Sequence, residues 1–202
     1  MSVSDEELGE AVARLPLGDE WAFRQVYRAV HPPLVRYLSV LVGPEEAEDV
    51  ASETWGQAFR DITRFDGDAD GFRGWVTTIG RNRALDHLRA RRRRPVAEFE
   101  DTLLLDLPAF LDVAEHALAG ISTQTAVALI ASLPQEQAEA VMLRAVLGLD
   151  ARAAGEVLGK RPGAVRVAAH RGLKTLARIL ADNEVPVGAS NTFEPQSAEE
   201  VR

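Results

Sequence analysis

The chain has 202 residues, 46% hydrophobic and 27% charged, with a formal charge of −8; this is ordinary globular composition with room for one or two domains and a sizeable core. The absence of cysteine excludes disulfides, cysteine-ligated zinc and thiol catalysis, and suits a reducing cytoplasm. The acidic start MSVSDEELGE lacks a secretory apolar region and no run approaches the roughly 18 apolar residues of a membrane span, so a soluble, cytoplasmic protein without membrane insertion is expected.

Residues 1–18 form an N-terminal segment ahead of the first patterned stretch. From Asp19 to Val30, Phe23, Val26, Tyr27 and Val30 share one helical stripe, and His31-Pro32-Pro33 predicts its end, because proline disfavours helix continuation. A second helix places Leu34, Leu38 and Leu41 inward and closes at Gly43-Pro44. The third, Glu45 to about Asp61, buries Ala47, Val50, Ala51, Thr54, Ala58 and Ile62, while Glu46, Asp49 and Glu53 line up on another face beside Glu45 and Glu48. Acids early in a helix suit its dipole and keep a surface soluble, so this face alone does not require a partner.

The loop FDGDADG, Phe65 to Gly71, opens like an EF-hand, but Thr77 stands where the bidentate glutamate belongs and Gly74 at the ninth position, so no calcium site is expected. Phe72 to about Arg92 reads as one long helix with Phe72, Trp75, Val76 and Ile79 on a stripe. Leu85 and Leu88 leave that stripe, so the helix must bend or bury a second face. Asn82, Asp86 and Arg89 continue the row from Trp75, and Arg81, Arg83 and the run from Arg89 to Arg94 make the C-terminal half basic. Aromatic rings interleaved with arginine suit single-stranded nucleic acid; a core tryptophan and a cation-rich helix end give the same pattern.

Pro95 ends that helix, and residues 95–121 form an acidic connector with apolar clusters at Leu103–Leu105 and Phe110-Leu111. Patterning resumes with Ala126, Leu129, Ile130 and Leu133, then Ala138, Val141, Met142 and Ala145. From Leu149 to Leu180 two short helices are broken at Gly159 and restarted at Pro162, which is helix-turn-helix spacing. In the second, Val165, Ala169, Leu173, Leu176 and Leu180 make a buried face, and Arg166, His170, Lys174 and Arg178 a basic one. Between Met142 and Ala181 the only acids are Asp150 and Glu156 against eight Lys or Arg, a basic module in an acidic chain that points to a polyanion. Residues 182–202 are polar, acidic and aperiodic, the composition of a disordered tail. The expected fold is all-α: two small helical domains, 19–94 and 122–181, joined by the acidic linker.

In AFRQVYRAVHPPLVRYL, EEAEDVASETW and RFDGDADGFRGWVTTIGRNRALDHLRARRRR the N-terminal half resembles domain 2 of the extracytoplasmic-function (group 4) sigma factors of bacterial RNA polymerase, in the sigma-70 family. SLPQEQAEAVMLR and the helix-turn-helix with AVRVAAHRGLKTL resemble domain 4. The resemblance spans about Asp19 to Ala181. It implies a non-enzymatic polymerase subunit without cofactor, metal or small-molecule substrate. Glu46, Glu48, Asp49 and Glu53 would bind core RNA polymerase. Phe65, Asp66 and Asp68 would hold a base flipped from the minus-10 promoter element, with Trp75, Arg81, Asn82 and Arg89 supporting strand opening. Arg161, Arg166, His170, Arg171 and Lys174 would meet minus-35 promoter DNA in the major groove. An anti-sigma factor is the implied regulator. Val167 and Ala168 replace a polar residue and an arginine frequent in the family, so phosphate contacts and DNA shape are expected to outweigh direct base readout. Arg161 is a weak N-cap, predicting a frayed start to the recognition helix.

Two other classes fit parts of the pattern. A one-component helix-turn-helix regulator would bind duplex DNA alone, as a dimer. A helical enzyme has only Asp112 and His116 to offer, one turn apart, with no nucleophile or second ligand set.

Overall fold

In the computed structural model, which describes residues 5–93 and 123–183, helices carry the chain and no strand occurs among the described residues. The connector, with Asp112 and His116, and the tail beyond Asn183 lie outside those residues. The N-terminal half comprises α1 (Asp5–Arg14), α2 (Glu20–Val42), α3 (Pro44–Asp61) and α4 (Ala69–Arg93). The C-terminal half comprises α5 (Thr123–Ala131), α6 (Gln135–Val141), α7 (Ala151–Leu158) and α8 (Pro162–Asn183).

The N-terminal segment is part of the core. Leu8 and Ala11 of α1 are fully buried and Val12 nearly so, packed on α2 and α4. The acids Glu6, Glu7 and Glu10 disguise the amphipathic stripe that runs between them.

The prolines of α2 correct the expectation of two helices there: one helix runs unbroken through Pro32 and Pro33 from Asp19, whose carboxylate accepts the Ala22 N–H at 3.1 Å, to Gly43. Pro32 and Pro33 cannot donate to the carbonyls one turn earlier, a loss of about 3 kcal/mol at an interior site. Burial of Val26, Val30, Leu34, Tyr37 and Leu38 along one face offsets it. Local propensity yields to tertiary packing here.

In α4 Phe72, Val76 and Ala84 are buried, and the Asp-rich loop before it is explained by capping. The Asp68 carboxylate accepts the Gly71 N–H at 2.8 Å and Asp70 pairs with Arg73 at 2.5 Å. These are the bonds an N-cap and a first-turn acid make.

After α6 the helix widens into a π turn, Met142–Val146, where the Leu147 N–H reaches the Met142 carbonyl at 3.0 Å. Such a turn inserts a residue and rotates the chain beyond it. Met142, Leu143, Leu147 and Leu149 are therefore buried, while Ala145, expected inside, is exposed. Asp150 then caps α7, its carboxylate accepting the N–H groups of Arg152 at 2.9 Å and Ala153 at 2.7 Å. Those donors hold its pKa below the ordinary carboxylate value.

The turn between α7 and α8 depends on two glycines. Gly159 closes α7 with φ of 64°, the left-handed conformation glycine adopts freely. Gly155 lies so near the Lys160 carbonyl that a Cβ there would come within 2.6 Å of the oxygen. On α8, Val165 and Ala169 are buried, but Leu173 is 51% exposed, against expectation, and Leu176 and Leu180 are half-buried. Beyond the α6 crossing, where Gly172 meets Val141, the apolar row outruns the helices that could cover it.

The two halves share one continuous hydrophobic core, from Leu8 to Ala169. The junction is formed by α2 against α5, α6 and the π turn, and by α4 against α7.

Candidate nucleic-acid interface

Three surfaces carry the residues singled out by the sequence. On α3 the side chains of Glu48, Asp49 and Glu53 are exposed and Glu46 is half-buried. Burial of Ala47, Val50, Ala51 and Thr54 fixes which face the acids can occupy. Asp49 and Glu53 make no ion pair among the described residues, whereas Glu46 lies 3.3 Å from His87 Nε2 and Glu48 lies 3.4 Å from His31 Nε2. His31 ties the acidic face to an aromatic ladder. Its ring stacks on Tyr27 at 4.3 Å between centroids, its Nδ1 accepts the Trp55 indole N–H at 3.2 Å, and Trp55 stacks on Phe59 at 5.5 Å. The signal for this ladder was the i, i+4 spacing of Phe23, Tyr27 and His31.

The second surface is the loop before α4 with the helix itself. Phe65 packs edge-on against Phe72 at 5.4 Å and lies 5.1 Å from Trp75, so both expected base-contacting rings belong to one half-buried aromatic cluster. Asp66 and Asp68 are exposed at the loop tip, as is Asn82 one helical face away. Arg89 is exposed and pairs with Asp86 at 2.8 Å. Arg81 differs from its neighbours. Its Nε donates to Glu139 of α6 at 2.7 Å, and the Tyr37 hydroxyl donates to the same carboxylate oxygen at 3.0 Å. Glu139 is 4% exposed, and its other oxygen accepts the Gln135 amide at 3.2 Å. Hydrogen bonding to Glu139 raises the pKa of Arg81. Burial, then the charge of Glu139, pushes the Tyr37 phenol well up, which keeps it a donor. No local pattern announced this triad, because its members come from α2, α4 and α6.

The third surface is α8. Arg161, Arg166, His170, Arg171 and Lys174 are all exposed, opposite the buried Val165 and Ala169. The start of α8 is formed: the Arg161 carbonyl accepts the N–H groups of Ala164 at 2.9 Å and Val165 at 3.2 Å. Val167, at the position that lacks a polar reader, is 51% exposed within the basic row. Lys160 is held out of that row by a 2.5 Å pair with Glu136. The arrangement is a helix-turn-helix whose second helix offers cations that pair with no acid among the described residues, and few base-reading groups, which suits a phosphate backbone.

No described residues cluster as a metal-ion ligand set, and no described helix is long and apolar enough to cross a membrane.

Comparison with known proteins accounts for both halves. The Sigma-70 region 2 family model matches residues 26–94, and the Sigma-70, region 4 model matches residues 124–176. The ECF RNA polymerase sigma factor ShbA of Streptomyces griseus is 34% identical over 87% of this chain and 95% of its own length. The ECF RNA polymerase sigma factor BldN of Streptomyces coelicolor is 32% identical over 86% of this chain, which spans 66% of that longer protein. Among solved structures, the sigma factor RpoE of Bartonella quintana, crystallised with the anti-sigma factor NepR, shares the fold with a TM-score of 0.59 at 20% identity, over 79% of this chain and 96% of that one. Two sigma-70 regions in order, on an all-helical frame that ends in a basic helix-turn-helix, place this chain in the family of extracytoplasmic-function RNA polymerase sigma factors.

Proposed function

We propose that the chain binds core RNA polymerase through the acidic face of α3 and directs it to a two-part promoter, acting in the cytoplasm and catalysing no reaction itself. The observation that carries this reading is the exposed row Arg166, His170, Arg171 and Lys174 on the second helix of the helix-turn-helix, poised for a major groove. Domain 2, within 19–94, supplies Glu46, Glu48, Asp49 and Glu53 to polymerase and Phe65, Asp66, Asp68, Trp75, Arg81, Asn82 and Arg89 to the minus-10 strand. Domain 4, within 122–181, supplies Arg161 and the α8 row to the minus-35 duplex. Charge complementarity at the acidic face sets docking orientation and on-rate, and base flipping is offset by stacking in the aromatic cluster. An anti-sigma factor fits as regulator, since a relative of the same fold was crystallised with one.

Run-off transcription by bacterial core polymerase, with and without this protein, on a pool of promoter fragments tests the reading. Protein-dependent initiation at a shared two-part sequence is expected. Tight duplex binding by the isolated chain without any initiation would instead establish a one-component regulator.

At the minus-35 element, Arg166→Ala with Lys174→Ala is expected to weaken holoenzyme binding to the promoter and reduce the slope of log K against log salt by about 2, roughly one for each phosphate no longer neutralised. Fluorescence anisotropy from low to moderate salt reads it, and an unchanged slope removes these two residues from the phosphate contacts.

A further inference from the structure

Glu48 stands on the α3 face at the outer end of a chain of contacts that begins in the core. Trp55, 5% exposed, donates its indole N–H to His31 Nδ1 at 3.2 Å. The His31 ring lies nearly parallel to that of Tyr27, 14° between planes at 4.3 Å, and Tyr27 meets Trp55 at 5.2 Å. Because α2 runs on through Pro32 and Pro33, His31 stays on the face of Tyr27 one turn earlier. Its other nitrogen, Nε2, faces a Glu48 oxygen 3.4 Å away, and the His31 side chain is 16% exposed against 65% for Glu48. One end of this contact is anchored and the other reaches into solvent.

The ladder also sets where the ring carries its proton. An indole nitrogen only donates, so Nδ1 must offer its lone pair and the proton resides on Nε2, the side of Glu48. Stacking on Tyr27 and the bond from Trp55 together fix the direction in which that N–H points. Burial, then the negative charge of Glu48, raises the Tyr27 phenol above its ordinary pKa, which agrees with a carboxylate set beside both rings. A neutral imidazole attracts the carboxylate without cancelling its charge, and the second oxygen of Glu48 stays available to a partner. His87 approaches Glu46 at 3.3 Å from α4, but its side chain is 34% exposed, so the anchored support is the one beneath Glu48.

We propose that His31 is a positioning residue for polymerase docking: held by Trp55 and Tyr27, it presets the Glu48 side chain in the arrangement that a cation of the partner meets. The inference rests on the function proposed above for the acidic face of α3. Glutamate is rich in rotamers, and immobilising one such side chain at an interface weakens association by roughly two- to tenfold. A side chain already held in the free protein avoids that loss.

The free chain gives the first test. Nuclear magnetic resonance of the isotope-labelled protein at neutral pH should show His31 protonated at Nε2 alone and Glu48 in a single side-chain rotamer. In His31→Asn, which can still accept the Trp55 N–H but is too short to reach Glu48, the Glu48 rotamers should average. Affinity for core polymerase gives the second test. His31→Asn, checked for fold by circular dichroism, should weaken binding about fivefold in the wild-type chain. Added to Glu48→Ala, which leaves no side chain to hold, it should weaken binding by less than about twofold. Averaged Glu48 rotamers in the wild-type chain, or a proton on Nδ1, would overturn the hold on Glu48. Equal losses in the two backgrounds would assign His31 to packing and overturn the positioning role, as would unaltered affinity in His31→Asn. A Glu48→Ala chain that binds polymerase as wild type does would remove Glu48 from the docking face, and the docking role of His31 with it. The resonance measurement needs no polymerase, so it separates that failure from a failure of His31 to hold Glu48.

Discussion

Replacing Asp49 and Glu53 together by lysine is expected to lower affinity for core polymerase by about a hundredfold or more, while the thermal unfolding midpoint stays close to wild type. Both side chains are exposed on α3 and make no ion pair among the described residues, so the fold does not depend on them; surface changes of this kind fall within about ±0.5 kcal/mol. Binding is a different matter. Each substitution reverses a charge, and like charges set face to face across an interface cost several kcal/mol, with about 1.4 kcal/mol for every tenfold. Asp49→Asn with Glu53→Gln should fall between, since it removes attraction without adding repulsion. Titration of labelled protein with core enzyme at two salt concentrations measures the loss. Unaltered affinity in the lysine variant would leave the acidic face a solubilising surface and move the docking site elsewhere.

Phe72→Ala is expected to destabilise the chain by about 3–5 kcal/mol, the range for removing a fully buried ring. Phe72 is wholly inaccessible, and its ring supports Phe65 at 5.4 Å and Trp75 at 5.7 Å. Both therefore lose the surface that orients them. Urea unfolding gives the first number. Promoter opening, followed by permanganate reactivity of unpaired thymines, should fall even at temperatures where the variant remains folded, because the loop that carries Asp66 and Asp68 begins at Phe65. A loss below about 1 kcal/mol would mean that neighbouring side chains refill the space.

Faces were more legible in the sequence than connections. The periodic placement of Val26, Val30, Ala47, Val50, Ala51 and Ala58 identified buried positions, because a helix repeats its environment every three to four residues and a sequence records that repeat; Phe23 of the first stripe is exposed, and Ile62, expected inside, is only half-buried because α3 ends at Asp61. The break at Gly159 and restart at Pro162 were equally visible, since both residues act through local backbone geometry. The run through Pro32-Pro33 was misread for the complementary reason. Local chemistry argues for a stop there, and only the burial of residues on both sides overrides it. Ala145 was misplaced because a π turn shifts the helical phase without any residue that marks it. The pairing of Arg81 with Glu139 joins positions 58 apart in sequence, beyond the reach of periodicity. Basic charge along α4 suggested a polyanion; it did not reveal that Arg81 is held by a carboxylate from another helix, Glu139 of α6.

The continuous core has a thermodynamic consequence for the molecule as a whole. When two helical units share buried side chains, folding of each is coupled to the presence of the other, and the pair melts as a single cooperative unit. Stability measured on the free chain is then a joint property. It belongs to neither half, and a substitution in α7 or α5 weakens the same cooperative unit that keeps α2 and α4 folded. A partner that held the halves apart would remove that coupling, and each half would then rest on whatever surface it gained. The sequence would then have two distinct stabilities, one alone and one in complex, and a substitution neutral in the first could be costly in the second.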